Sequence, residues 1–398
     1  MMTTQLPNLP WEIIENIFSR LPSKSLMRFR CLSKLYRSLI DSPDFVKMHL
    51  NQSRVSQTNR SLILGFLGVY SVELDQLDCA RILKPPFSSS DVSNSCNGLV
   101  LVGQNHAPFL WNPSTRKYKT LPDCPVESPH GIGVGERNYQ RSGFGYIPEE
   151  DDYRVLRVVE FRDDDSVWVG SKAHIYSLKS DSWKKVDNFP YPLPRIRGWG
   201  VHVNGILHTV LSDYSGRFIL AFDLRDCTNF VLPKPENLSP DADLSVYAMD
   251  GCLCLLATRK QRKTDIWIMK EYRVKESWTK LLSIGPPDIE SHSLLIPLTY
   301  SKNGNQVLLN CNDEKLIWFD LKSKTAREVQ VNGLPFRFYA DVYVDSLIHL
   351  ESGFNFGSGN GRDEVVMKRR AVRKEQRNLK EIRNKRDGFL STGFKLVL

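Results

Sequence analysis

The chain has 398 residues, 41% hydrophobic and 25% charged, with 54 Lys plus Arg against 45 Asp plus Glu for a formal net charge of +9. That balance belongs to a folded globular protein of two or three domains and excludes a disordered chain. No apolar run approaches the ~20 residues that cross a bilayer, the segment Met1 to Asn8 lacks the basic and apolar regions of a secretory signal, and eight Cys are too sparse for a disulfide scaffold.

Residues 9 to about 50 read as helical. Pro10 suits the first position of a helix, and Ile13, Ile14, Ile17, Phe18 and Leu21 recur at spacings of three and four, which predicts one apolar face. Pro22 ends that helix, and Ser23 is placed to cap a second short one carrying Leu26, Met27 and Phe29. A third helix carries Cys31, Leu32, Leu35, Tyr36, Leu39 and Ile40 and ends near Asp41-Ser42-Pro43-Asp44, with Phe45, Met48 and Leu50 after it. Three short helices hold too little core to stand comfortably alone, so a partner surface is expected.

From about residue 60 to 350 the pattern becomes short β-type runs, among them Leu99 to Val102, Val155 to Val159, Ile206 to Val210 and Val307 to Leu309. Asn97-Gly98, Asn204-Gly205, Asp250-Gly251 and Asn303-Gly304 precede several of them, as tight hairpins require. The runs repeat as larger units, whose second halves align as Trp111 to Tyr118, Tyr176 to Trp183, Phe222 to Phe230, Tyr272 to Trp278 and Phe319 to Arg327. The period, about 46 to 50 residues, is that of a four-stranded propeller blade, and the region has room for six or seven. A loop around Glu127–Arg141 accounts for the longer first interval, and a β-sandwich array is the alternative architecture.

Gly357-Ser358-Gly359-Asn360-Gly361 reads as a linker. Beyond it, residues 362–398 hold 12 basic and 5 acidic residues, net +7, which leaves the other 361 residues at +2. A nearly neutral body argues against a domain that grips nucleic-acid phosphates. The tail segment 363–386 is helix-prone and weakly amphipathic. Its cluster Lys368, Arg369, Arg370, Arg373 and Lys374 is a nuclear-import candidate, with a solvated helix or a lipid or RNA contact as the other readings. The apolar end, Gly388 to Leu398, is expected to fold back onto the body.

Catalytic signatures are missing: the chain has no G-x-S-x-G elbow and no phosphate loop ending in Gly-Lys-Ser/Thr. Trp111-Asn112-Pro113-Ser114-Thr115 reads as a strand running into a turn. Cys252 and Cys254 share one strand face without a second ligand pair and read as packed thiols, and His202 and His208 as ordinary strand positions. Glu149 to Asp152 and Asp163 to Asp165 lack the spacing of a Ca²⁺ loop. We therefore expect no catalytic residue, no metal and no cofactor.

The N-terminal motif Leu9-Pro10-Trp11-Glu12-Ile13-Ile14, Arg20-Leu21-Pro22-Ser23-Lys24-Ser25-Leu26, Arg28-Phe29-Arg30-Cys31-Leu32-Ser33-Lys34 and Ser42-Pro43-Asp44-Phe45 resembles an F-box, with Tyr36 where plant F-boxes usually carry Trp. Residues 60–350, through Asn97-Gly98-Leu99, Trp111-Asn112-Pro113-Ser114-Thr115-Arg116, Gly143-Phe144-Gly145-Tyr146 and Trp318-Phe319-Asp320-Leu321, resemble the plant F-box-associated domain, a kelch-like propeller. The basic tail and the ending Gly393-Phe394-Lys395-Leu396-Val397-Leu398 look like the plant F-box proteins named for constitutive expression of pathogenesis-related genes.

The resemblance implies a mainly β protein: a small N-terminal three-helix F-box (1–50), a kelch-like β-propeller of six or seven blades (55–350), and a flexible linker with a basic helical C-terminal tail (351–398). It implies a Skp-family adaptor bound through Leu9, Pro10, Ile13, Ile14, Leu21, Pro22, Leu32 and Tyr36, and through the adaptor the cullin and RING subunits of a ubiquitin ligase. The propeller would present a protein substrate, by resemblance a nucleotide-binding leucine-rich-repeat immune receptor. Cytoplasm and nucleus are the expected locations. The alternative is a propeller enzyme or glycan-binding protein with an incidental helical N-terminus.

Overall fold

The computed structural model describes residues 9–86, 92–103, 108–126, 139–162, 168–187, 189–192, 200–213, 216–259, 263–285 and 294–350. The expectations for Asp163 to Asp165, for the linker and for the whole basic tail lie outside those residues.

Four helices open the chain: α1 (Trp11–Ser19), α2 (Ser23–Phe29), α3 (Lys34–Ile40) and α4 (Pro43–Val55). Local chemistry sets their starts. Ser33 caps α3 by accepting the Tyr36 N–H at 3.1 Å, and Ser42 caps α4 by accepting the Phe45 N–H at 3.3 Å. Pro43 follows Ser42 as the first residue of α4, where a missing N–H costs nothing. The sequence pattern treated Pro43 as a stop, yet it starts the longest helix, so the helical unit has four members and not three. At α2, Pro22 and not Ser23 occupies the cap position.

The strands then form six four-stranded antiparallel sheets among the described residues. The first three strands, β1 (Arg60–Gly65), β2 (Val69–Glu73) and β3 (Arg81–Leu83), leave one sheet a strand short. Four complete meanders follow: β4 (Val92–Cys96), β5 (Leu99–Val102), β6 (Phe109–Asn112) and β7 (Lys117–Thr120); then β8 (Tyr139–Ile147), β9 (Asp152–Arg162), β10 (Trp168–Ser177) and β11 (Ser182–Val186); then β12 (Val201–Val203), β13 (Ile206–Asp213), β14 (Gly216–Asp223) and β15 (Asn229–Leu232); then β16 (Asp243–Met249), β17 (Cys252–Thr258), β18 (Thr264–Met269) and β19 (Trp278–Ile284). The fifth is β20 (Leu295–Tyr300), β21 (Gln306–Cys311), β22 (Lys315–Asp320) and β23 (Ala326–Val329). The last strand, β24 (Tyr339–Val344), returns to pair with β1 from Arg60↔Val344 to Gly65↔Tyr339 and completes the first sheet.

This is a six-bladed propeller. The inner strands β24, β4, β8, β12, β16 and β20 contact one another in that order and close a ring. The core is correspondingly divided, with one apolar cluster between each pair of adjacent blades; Leu256, Ile266 and Leu282 of one blade, for example, meet Leu295, Leu309 and Phe319 of the next. Outer-strand tryptophans tie blades together: the Trp183 indole N–H donates to the Pro122 carbonyl at 2.8 Å and the Trp278 N–H to the Pro233 carbonyl at 2.9 Å.

The Asn-Gly and Asp-Gly signals mark tight turns from inner to second strands. Asn97, Asn204 and Asp250 have φ near +50° and each is followed by a positive-φ Gly, the pairing that two-residue hairpins need. One part of the repeat register needs correcting. Tyr272 is not the equivalent of Tyr176 and Phe222 but lies in the β18–β19 connection; the matching third-strand position is Met269, which pairs with Trp278 as Tyr176 pairs with Trp183. The expected Glu127–Arg141 loop also ends earlier, because Tyr139, Gln140 and Arg141 already belong to β8.

Candidate functional site

The helices and the propeller share a core. Phe18, Leu26, Leu39, Ile40, Phe45 and Val46 pack with Leu347, a residue that leaves the propeller just after β24. Asn112, at the end of β6, holds that departing segment: its Nδ2 donates to the carbonyls of Ser346 (3.2 Å) and Ile348 (2.9 Å). Its Oδ1 accepts the Ser114 N–H at 2.9 Å and closes the turn expected from Trp111 to Thr115. Gly98, with φ of +80°, is needed there because a Cβ on it would sit 2.2 Å from the Ser346 Oγ. Lys47 of α4 reaches Asp151 in the β8–β9 turn at 2.6 Å, and Arg60 bridges Asp250 at 2.8 Å and Thr299 at 3.0 Å. The helical unit therefore sits on the face that carries the turns from inner to second strands, and its seat on the propeller is built from packing and buried hydrogen bonds.

Not all of the helical apolar residues face inward. Phe18 is buried and Ile14, Leu21 and Tyr36 are half-buried against the same core. Tyr36 lies between the rings of Trp11 (6.3 Å, stacked) and Phe18 (5.2 Å), so it is chiefly a packing residue. Leu9, Ile13 and Leu32 are 56%, 47% and 66% exposed, and Pro10 and Pro22 also face solvent. Helix α1 thus has two apolar stripes where the spacing predicted one face: Ile14 and Phe18 point in, with Leu21 just beyond the helix beside them, and Ile13 and Ile17 point out. Trp11, Ile17 and Leu35 join the exposed set although they were not among the expected adaptor-docking residues. Their signal in the sequence was an excess of apolar positions on α1 and α3 beyond what one buried stripe uses. Clustered exposed apolar side chains mark a protein interface.

At the opposite ends of the inner strands a central channel of about 460 Å³ opens beside Leu294, Arg337 and Tyr339. Its wall carries Asn94, Ser95, His202, His208 and Asp341. The two histidines are neutral structural members. His208 bonds the Val201 carbonyl (3.0 Å) and the Tyr272 hydroxyl (2.6 Å), and His202 accepts the N–H groups of Gly205 (3.1 Å) and Tyr146 (3.3 Å) through Nε2. Desolvation lowers each imidazole to about 4. Cys254 packs fully buried between blades and Cys252 half-buried, each thiol pushed up by burial. In the Glu149–Asp152 cluster, Asp152 accepts from the Ser177 hydroxyl and the Lys179 N–H, and Asp151 is spent on Lys47 and the Tyr146 hydroxyl. Among the described residues no group of three or more His, Cys, Asp or Glu is arranged to hold a metal ion, and no helix is long and apolar enough to cross a membrane.

A helical unit packed on a closed six-bladed ring is an arrangement with known family counterparts. Residues 6–48 match the F-box domain and residues 46–350 match the F-box associated beta propeller domain; the chain belongs to this family of F-box proteins. The F-box protein CPR1 of Arabidopsis thaliana is 36% identical over 99% of this chain and 100% of its own length. A second Arabidopsis thaliana F-box protein, At4g22390, is 32% identical over 98% of this chain and 99% of its own, and an F-box/kelch-repeat protein, At3g23880, is 28% identical over 70% and 79%.

Proposed function

We propose that this protein is the substrate-recognition subunit of an SCF-type cullin–RING ubiquitin ligase. The F-box binds a Skp-family adaptor through Leu9, Pro10, Ile13 and Leu32, with Trp11, Ile17 and Leu35 beside them, while Ile14, Leu21 and Tyr36 hold the helices in shape. The observation that carries this reading is the outward apolar set on helices whose inward face is already satisfied by the propeller. Each such side chain, already partly covered, gains about 1 kcal/mol gross when the rest of it is buried, before association costs. The contribution to ubiquitination is proximity: a target on the propeller is held near the ubiquitin-carrying enzyme at high effective concentration. The chain's own role is then non-catalytic.

Ile13→Asp with Leu32→Asp tests the docking set. Both positions are exposed, so the fold should survive, and adaptor co-purification should fall by at least about tenfold. Undiminished adaptor binding would overturn the assignment.

For the target we propose a nucleotide-binding leucine-rich-repeat immune receptor, whose turnover would restrain defence. Similarity along the whole chain to CPR1, in a group read as acting on such receptors, supports it. Proximity labelling with the docking double variant, which captures but does not deliver, should enrich immune receptors. We propose further that Lys368, Arg369, Arg370, Arg373 and Lys374 act in nuclear import and give the protein both cytoplasmic and nuclear pools. Alanine at all five should shift a fluorescent fusion to the cytoplasm.

A further inference from the structure

The channel wall carries several hydrogen-bond acceptors, Asp341, Asn94 and Asp313 among them. Asp341, in the middle of β24, accepts the Ser95 N–H at 2.8 Å, and among the described residues no basic side chain pairs with it. Beside it Asn94 spends its Nδ2 on the Gly200 carbonyl at 3.2 Å, and its Oδ1, shielded from solvent, has no partner among the described residues. Asp313, buried to 8% exposure, lines the same space. Burial pushes the Asp341 carboxyl above the usual carboxylate range, the condition that an incoming cation relieves. A carboxylate on the channel wall with no basic partner among the described residues is matched by an ammonium or guanidinium group and by no anion.

The rim is of different character. Phe66 meets Phe336 edge-on at 6.1 Å and Tyr339 at 5.8 Å, while Phe336 and the neighbouring Leu67 are 73% and 74% exposed. The basic group at the mouth, Arg337, is exposed, lines the channel entrance and lies over the Phe66 ring at 5.8 Å. Exposed aromatics beside an Arg are the composition of an interface hot spot. Asp341 lies two residues along β24 from Tyr339, a depth of about 7 Å that the slender stem of a Lys or Arg spans with its charged head foremost.

We propose that the channel is the anchor site for a basic side chain of the captured protein. Its guanidinium or ammonium head would sit at Asp341, with Asn94 lining the space beside it, and apolar neighbours in the same segment would lie on Phe66, Leu67 and Phe336. This rests on the recognition-subunit reading and places target capture on the face opposite the F-box. The rim aromatics favour a protein segment over a free amine, because a free amine has nothing to lay on them.

The test uses the full chain co-purified with a Skp-family adaptor, titrated calorimetrically with acetyl-arginine amide, its neutral isostere acetyl-citrulline amide, and a blocked Leu-Arg-Leu tripeptide. Arginine amide should bind at least about tenfold tighter than citrulline amide. Asp341→Asn should erase that difference while adaptor binding and melting temperature stay as they were. Should that variant misfold, Asn94→Ala serves in its place and should weaken arginine amide several-fold. Phe336→Ala should weaken the tripeptide and leave the amide unchanged. Equal binding of arginine and citrulline amides, or discrimination that survives Asp341→Asn, overturns the site. A tripeptide no tighter than the amide and indifferent to Phe336→Ala overturns the protein segment as occupant in favour of a free small cation. Failure of the unaltered chain to bind the adaptor would count against the recognition-subunit reading and leave the channel result to stand alone.

Discussion

Asn112 is fully buried at the junction of strand, turn and departing chain, and each of its side-chain polar atoms is used. Asn112→Ala would strand the Ile348 carbonyl and the Ser114 N–H away from water. A loss of about 3 kcal/mol in chemical denaturation is the expected outcome, and Asn112→Asp, which turns the donor into an oxygen facing the Ser346 and Ile348 carbonyls, should cost no less. The sequence placed Asn112 correctly in its turn but could not show the second grip, because Ser346 and Ile348 are more than two hundred residues away. The channel histidines give a pH signature. Both are lowered to about 4 in the folded state against an ordinary 6.5, so the unfolded chain takes up protons first as pH falls. Each then removes about 2 kcal/mol of stability between roughly pH 7 and pH 5. Asp345, raised to about 6 by burial, acts oppositely: stability from it is present at low pH and lost as pH rises through that value, worth about 1 kcal/mol over the same window. The net result is acid weakening, and His208→Gln should flatten the stability–pH slope by about 2 kcal/mol across it.

At the scale of elements, the joint between α4 and the segment after β24 decides how the F-box is carried. Leu347 is 1% exposed inside a helical core that it does not belong to by sequence. Leu347→Ala should cost about 3 kcal/mol, and the loss should be local: helix signals should unfold at lower urea than the tryptophans of the blades. Coincident transitions would argue against a separable helical unit. What the sequence disclosed at this scale follows from range. Turn chemistry at Asn97, Asn204 and Asp250 is local, and the blade period is a repeat of local patterns, so both are legible. The start of α4 was misread because Pro43 reads alike as a stop or a first residue, and only the Ser42 cap and the packing of Phe45 decide it. The two stripes of α1 looked like one for a related reason: spacing reports apolar positions, and burial depends on what arrives from elsewhere.

At the scale of the molecule, β24 is both ring closure and F-box support. A stop after Phe338 removes the strand that β1 pairs with from Arg60 to Gly65 and also removes Leu347. Such a chain should lose adaptor co-purification and elute as an expanded or aggregated species, although every F-box residue is present. Recovery of a soluble, adaptor-binding fragment would show that the ring tolerates an open blade. In the closed form the F-box occupies the face with the inner-strand turns, while the channel opens on the other.

That arrangement has a consequence in time. On the ribosome the F-box emerges first, but the residue that finishes its core comes about 290 residues later, on the order of tens of seconds at ordinary elongation rates. Until then the helices lack a side of their core and the first blade lacks its inner strand. A message cut short anywhere before β24 therefore yields a product that can neither close its ring nor complete its docking helices, so truncated copies are denied the means to compete for the adaptor with full-length ones.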